Sequence, residues 1–156
     1  MSRRVIFAGI ASAFLLVSTW MPADAGGRRG TQRSVAVLLG GINAARRAYH
    51  VRLLRLDQRL CRVAVAHAVD MVEHNYFNHV SLDGHSPFDR MQAYHVRFGY
   101  AGENLALDSN AVAASIALWN SDEHRRNELE PHFKHVGIAA VPRGDGEYVI
   151  VEDFSD

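Results

Sequence analysis

The sequence predicts an α+β domain in which about four helices pack on a small antiparallel sheet of three or four strands. Two observations support this. Apolar residues recur every third or fourth position through the first part of the chain, the spacing typical of helices. Beyond Pro131 the spacing changes to strict alternation, which is typical of strands. Helices followed by a terminal hairpin favour helices layered on an antiparallel sheet.

Four segments carry helix signals. The first covers about 34–49, and the second begins at an N-cap aspartate and covers 57–74. A serine followed by proline and, three residues on, aspartate predicts a capped third helix over roughly 87–95. A fourth is expected from about 109 or 110 to 119. Buried positions predicted for the second helix include His67.

Two terminal strands are predicted at Val136–Val141 and Tyr148–Phe154, joined by a turn rich in glycine and proline. A third strand is expected around Val96–Tyr100. Large aromatic side chains elsewhere are expected in the core: Phe77, Phe88, Trp119 and Phe133.

The first 25 residues have the pattern of a secretory signal peptide. Two arginines precede a charge-free stretch, Val5–Trp20, and Ala23-Asp24-Ala25 fits the small-x-small cleavage pattern. The stretch is short for a membrane span, which needs about 20 apolar residues. We therefore expect cleavage after Ala25, a flexible leader over 26–33, one domain over 34–156, and a secreted or periplasmic protein without a membrane span.

Cys61 is the only cysteine, so a disulfide within the chain and a cysteine-rich zinc site are both excluded. Its apolar helical surroundings predict an inert, buried thiol. An exported domain without disulfides must be stabilised by packing alone.

Basic charge is concentrated near the start of the domain. Residues 26–62 hold nine arginines and a single aspartate. Arg55, Arg59 and Arg62 follow helical spacing and would share one face. Such a face is either merely solvated or a weak binding surface for an anionic envelope polymer or lipid headgroup. Nucleic acid is not expected as a partner of an exported chain with a formal net charge of zero.

Eight short patterns occur in one order along the chain. They are Asn43-x-x-Arg46, Leu54-x-x-Asp57-x-x-Leu60, His67-Ala68-x-Asp70-Met71, Phe77-x-His79, Asp83-Gly84-x-Ser86-Pro87-x-x-Arg90, Gly102-Glu103-Asn104-Leu105-Ala106, Ser121-x-x-His124-Arg125-x-Asn127 and Phe133-x-x-Val136-Gly137. In this order they resemble the CAP superfamily of cysteine-rich secretory proteins, antigen 5 and pathogenesis-related proteins, in its short bacterial branch, the SCP domain. The resemblance covers about residues 35–154 and implies an α-β-α sandwich.

The resemblance also implies a cleft lined by two histidines and two acidic residues, which in some members binds a divalent metal. By position, His79, Glu103 and His124 match. Asp122 and Glu123 stand where bacterial relatives commonly have Pro-Gly, so either acid or neither is the second carboxylate, and Glu123 is included among the ligand-binding candidates. His50 stands where a glycine usually closes the first helix.

The chemistry of these residues supports a site on its own terms. Two imidazoles and a carboxylate form a sufficient ligand set for zinc or a similar divalent ion with one open position. Without metal, Glu103 beside an imidazole has the chemistry of a general base. His79, Glu103 and His124 are accordingly candidates for ligand, metal and catalytic roles, whereas His67 is expected to be a core histidine.

Three classes of function stay open. The first is an exported protein that binds a divalent metal, a small molecule or a lipid-like ligand in a polar His/Glu cleft. The second is a metal-dependent hydrolase acting on an envelope peptide or ester, although none of the familiar metalloprotease or serine-hydrolase motifs is present. The third is a structural or interaction module. The sequence leaves enzymatic activity undecided.

Overall fold

The computed structural model describes residues 25–156, so the predicted signal peptide lies outside the described residues apart from Ala25. Five helices and four strands follow one another along the described chain. They are α1 (Ala25–Ala48), β1 (Arg55–Leu56), α2 (Gln58–Glu73), α3 (Pro87–Ala93), β2 (Ala101–Asp108), α4 (Ala111–Asn120), α5 (Asp122–Leu129), β3 (His135–Pro142) and β4 (Tyr148–Ser155).

The sheet has the strand order β1-β3-β4-β2 and is covered on both sides. Alternate residues of the long strands pack against different helices. One face joins α1 and α4 in a core cluster that includes Leu38, Leu118 and Ile150. The other face packs on α2 through side chains such as Met71 and Val151. The α-β-α sandwich and the α+β class predicted from the sequence are confirmed.

The sheet is mixed, which corrects the prediction of a wholly antiparallel one. β2 and β3 both pair antiparallel with β4, but β1 runs parallel to β3 over two residues, Arg55↔His135 and Leu56↔Val136. The strand expected at Val96–Tyr100 lies instead at Ala101–Asp108. Its polar residues are buried between two layers, so the alternation that marks a half-exposed strand is missing there.

The helix caps agree with the sequence patterns. The Asp57 carboxylate accepts hydrogen bonds from two backbone N–H groups at the start of α2. Ser86 and Asp89 form a reciprocal capping box on α3, and the Asn110 side chain caps α4. The first helix is longer than predicted, because the polar stretch 26–33, expected to be a flexible leader, is helical. His50, just beyond α1, has a left-handed φ of 58°.

Close packing of α2 on the sheet depends on Gly137. A Cβ atom at this position would lie 2.1 Å from the carbonyl carbon of Leu60. Phe133 is buried as predicted and stacks on Phe154. Phe77 and Phe88 were also predicted as core, and this was wrong: each is 44% exposed. Phe77 lies in the loop between α2 and α3, and Phe88 lies in the first turn of α3. No helix within residues 25–156 is both long and apolar enough to cross a membrane.

Candidate functional site

Glu103 is the centre of a polar cluster between the sheet and α2–α3. It lies on β2 and shares the sheet face of Leu105, which packs against α2. Its side chain is only 1% exposed. A carboxylate in this position requires partners, because an unpaired buried charge costs several kcal/mol, on the order of the stability of a small domain.

Two partners hold the Glu103 carboxylate. Arg90 of α3 donates from Nη2 to Oε2 at 2.7 Å, and His79 donates from Nδ1 to Oε1 at 2.7 Å. Arg90 also donates from Nη1 to the Ser81 hydroxyl at 2.9 Å and to the His85 carbonyl at 3.0 Å. The arginine therefore fastens the loop that carries His79 to the carboxylate.

The His79 ring is fixed at one nitrogen and accessible at the other. Its side chain is 49% exposed. Because Glu103 accepts a hydrogen bond from Nδ1, Nε2 of the neutral ring keeps a free lone pair. A carboxylate behind an imidazole is a common way to orient a ligating or proton-accepting histidine.

Two further ionisable groups lie beneath this pair. His67 is buried. Its Nε2 donates a hydrogen bond to the Asn78 carbonyl at 3.0 Å, and the same nitrogen lies 3.9 Å from Glu103 Oε2. Burial lowers the pKa of His67. Asp153 pairs with Glu103 in the β2–β4 register and is fully buried. Burial, followed by the Glu103 charge, raises the pKa of Asp153 well above its usual range.

Amide side chains of β2 and α5 hold the backbone of α5, the helix that carries His124, against β2. Asn104 donates from Nδ2 to the His124 carbonyl at 3.2 Å, and Asn127 donates to the Glu103 carbonyl at 3.3 Å and to Asn104 Oδ1 at 2.9 Å. α5 is thus anchored on β2. The pKa of His124 is lowered, first by burial and then by the charge of His79. The two imidazoles are therefore close enough to influence each other, and the neutral form of His124 is favoured.

The acids beside His124 are placed differently. Glu123 and Asp122 lie in the first turn of α5 and are exposed. Asp122 forms an ion pair with Arg125. Glu123 affects the pKa of His124 only as a minor charge. Its role in ligand binding stays a prediction.

On the opposite sheet face lies a second buried carboxyl pair. Glu152 accepts a hydrogen bond from Asn104 at 3.2 Å, and burial raises its pKa to about 8. Burial also raises the pKa of Glu128 on α5 to about 7, and its charge opposes ionisation of Glu152.

The donor set fits a metal ion only in part. Within the described residues, no group of three or more His, Cys, Asp or Glu side chains is placed to hold a metal. Both Glu103 oxygens are engaged by Arg90 and His79, so the geometry gives Glu103 the part of orienting His79. The imidazoles of His79 and His124 are the donors suited to an incoming divalent ion, and metal binding by the predicted set stays a prediction.

The sequence analysis identified His79, Glu103 and His124 but missed Arg90 and Asp153 as site residues. Arg90 ends the Asp83-Gly84-x-Ser86-Pro87-x-x-Arg90 pattern of the resemblance, which was the available signal, but the sequence analysis gave it no part in the cleft. An aspartate inside an otherwise apolar strand was the available signal for Asp153. His67 is a core histidine as expected, and it also adjoins the cluster.

The remaining predicted features lie elsewhere. Arg55 belongs to β1, so it does not share a helical face with Arg59 and Arg62, and that prediction was wrong. Cys61 is half-buried, and burial raises the pKa of its thiol, which agrees with an inert cysteine.

Comparison with known proteins identifies relatives across most of the chain. The model of the cysteine-rich secretory protein family, CAP, matches residues 39–154. The chain is 37% identical over 103 residues to the uncharacterized Bacillus subtilis protein YkwD, and the match covers 65% of this chain and 40% of YkwD. It is 38% identical over 97 residues to the uncharacterized B. subtilis membrane protein YlbC, covering 62% of this chain and 28% of YlbC. This chain thus spans less than half the length of either relative.

Solved structures share the fold. An extracellular protein containing an SCP domain from Bacillus anthracis superposes with a TM-score of 0.72 at 31% identity, covering 82% of this chain and 40% of that chain. An outer surface protein of Borrelia burgdorferi superposes with a TM-score of 0.75 at 22% identity, covering 80% and 93%. The second likeness concerns the fold alone.

Proposed function

This chain belongs to the CAP family, and from that premise we propose that it is an exported protein of the cell envelope whose His79–Glu103–His124 cleft binds a ligand through two imidazoles. The observation that carries the proposal is the His79 ring. It is half-exposed, yet it is fixed from behind by a buried carboxylate at 2.7 Å. Ordering an exposed side chain costs conformational entropy, and a surface histidine without a role has no need of such support.

The ligand best suited to these donors is a divalent ion such as zinc. Neutral imidazole nitrogens are good zinc ligands, and burial, which lowers the pKa of His124, favours the neutral form of its ring. An ion held by His79 and His124 would supply Lewis-acid chemistry or a docking point for an oxygen-bearing small or lipid-like ligand. The chain's own contribution is orientation: Arg90 holds Glu103, and Glu103 holds the His79 ring.

Export is the second part of the proposal. It is supported by the signal-peptide pattern of residues 1–25 and by an extracellular protein among the structural neighbours. Mass spectrometry of protein from its native host should find Gly26 as the first residue. An intact Met1 terminus would contradict export with cleavage.

Thermal unfolding with and without zinc tests the site. Zinc should raise the Tm of the wild type at pH 7, and less below about pH 6.5, where imidazoles protonate. His79→Ala and His124→Ala should each lose most of the increase. His74→Ala is the matched control, since His74 is exposed at the end of α2 and pairs with Asp70. Equal zinc shifts in all four proteins would show that the ion binds elsewhere.

A further inference from the structure

A second cavity lies at the other edge of the sheet, beside β1. It has a volume of about 690 Å³. Its polar lining is dominated by Arg52, Arg55, Lys134 and His135, and we call it the cationic cavity. Because β1 and β2 are opposite edge strands of the sheet, the cationic cavity is separate from the cleft that contains Glu103.

The backbone around the cationic cavity is firmly held. Arg55 pairs with His135 in the parallel β1–β3 register, and its N–H donates to the Lys134 carbonyl at 3.0 Å. Asn43 of α1 holds the preceding loop, because its side chain donates to the Leu54 carbonyl at 3.0 Å and accepts from the Leu54 N–H at 2.8 Å. The cations are therefore presented by fixed backbone rather than by a free loop.

The positive charge of this cavity is not balanced. Its lining contains no carboxylate. Across residues 29–156, whose side chains the structure places, no acidic group forms an ion pair with Arg52, Arg55 or Lys134. The Asp156 carboxylate lies in an adjoining cavity of about 300 Å³ that Arg52 and Lys134 also line. Backbone hydrogen bonds and, as the last cause, the charge of Lys134 lower the pKa of Asp156.

Asp156 is itself engaged elsewhere. It accepts hydrogen bonds from the backbone N–H groups of Gly99 at 2.7 Å and Tyr100 at 2.9 Å. Arg52, Arg55 and Lys134 line one cavity and form no ion pair among the described residues, and like charges that share a cavity are stabilised when an anion binds.

We propose that the cationic cavity binds the phosphate group of a phosphate ester. Guanidinium groups form paired hydrogen bonds with phosphate oxygens, and two arginines with a lysine match the double charge of a phosphate monoester better than the single charge of a carboxylate. The volume exceeds that of a bare phosphate ion, so the cavity also holds part of the organic substituent. A soluble phosphate monoester and the headgroup of phosphatidic acid, which is also a monoester, share this chemistry.

The test compares two double variants that remove the same charge. Arg55→Gln with Lys134→Gln alters the cavity, whereas Arg59→Gln with Arg62→Gln alters exposed arginines of α2 outside it. Titration calorimetry of the purified chain with inorganic phosphate, glycerol 3-phosphate and acetate measures affinity at constant ionic strength. Circular dichroism confirms that both variants are folded.

Wild type and the α2 variant should bind glycerol 3-phosphate saturably. The cavity variant should bind it at least about tenfold more weakly, because two charged donors to the phosphate are removed. Acetate should bind weakly to all three. Cosedimentation with vesicles that contain phosphatidic acid, compared with phosphatidylcholine vesicles, identifies a lipid headgroup as the source if the cavity variant alone loses binding. Equal phosphate affinity in the two variants, or no saturable binding by wild type, would overturn the proposal. His79→Ala should leave phosphate binding unchanged, which separates this proposal from the zinc site.

Discussion

Replacing Arg90 by methionine tests the physical basis of the cleft. Methionine keeps most of the volume of the side chain but removes three hydrogen bonds, to Glu103 Oε2, the Ser81 hydroxyl and the His85 carbonyl. The Arg90 side chain is 11% exposed and that of Glu103 is 1% exposed. The variant therefore leaves a buried carboxylate with His79 as its remaining hydrogen-bond partner, beside the fully buried Asp153.

The expected cost follows from that burial. Removing one member of a buried ion pair destabilises a protein by about 3–5 kcal/mol, because the other charge stays desolvated. A domain of this size is stable by about 5–15 kcal/mol, so the variant should remain folded without denaturant but unfold at much lower urea concentration.

Urea unfolding in a double-mutant cycle gives the measurement. In a Glu103→Gln background the carboxylate is gone, so Arg90→Met should cost less there, with a coupling energy of about 2 kcal/mol or more. The control is Arg97→Met at an exposed arginine of the following loop, with an expected change within about 0.5 kcal/mol. If Arg90→Met costs the same in both backgrounds, the Arg90–Glu103 pair does not hold the site together.

Two further predictions concern the framework around the cleft. Gly137→Ala places a Cβ 2.1 Å from the backbone of α2 and should destabilise the fold by about 3 kcal/mol or more. Gly40→Ala, with open space around its Cβ, should instead stabilise α1 by about 1 kcal/mol. If urea unfolding ranks the two variants the other way, the packing described is contradicted. The raised pKa of Glu152, to about 8, means that the folded state holds a proton which the unfolded chain releases near pH 4.5. Stability should therefore fall as pH rises from about 5 to 8, by at most about 1.4 kcal/mol per pH unit from this group, and Glu152→Gln should flatten that slope; identical slopes in urea unfolding at pH 5, 6, 7 and 8 would refute it.

Local signals predicted most of the helices, since a cap is a short-range interaction between neighbouring residues. Asp57, Ser86 and Asn110 all cap as their side chains suggest. α5 was missed because its residues, DEHRRNEL, carry no apolar stripe. The helix is anchored instead by a hydrogen bond from its Asn127 to Asn104, which is distant in sequence on β2. β1 has two residues and forms only through pairing with β3, so no periodicity could indicate it.

The site also contains residues that the sequence could predict and residues that it could not. His79, Glu103 and His124 could be predicted because their surrounding motifs are distinctive. Arg90 and Asp153 could not, since their importance depends on burial beside Glu103, which only the register of β2 with β4 and the packing of α3 create. Burial changes the pKa of a charged group and its need for a partner, and burial cannot be inferred from the spacing of residues in the sequence.

The most direct measurement of the central claim is imidazole nitrogen NMR of the protein during a zinc titration at pH 7. The account predicts that His79 carries a proton at Nδ1, which donates to Glu103. It also predicts zinc-induced changes at His79 Nε2 and at a ring nitrogen of His124, with His74 and His132 unchanged at one equivalent. A His79 ring protonated at Nε2, or zinc changes confined to His74 and His132, would contradict it.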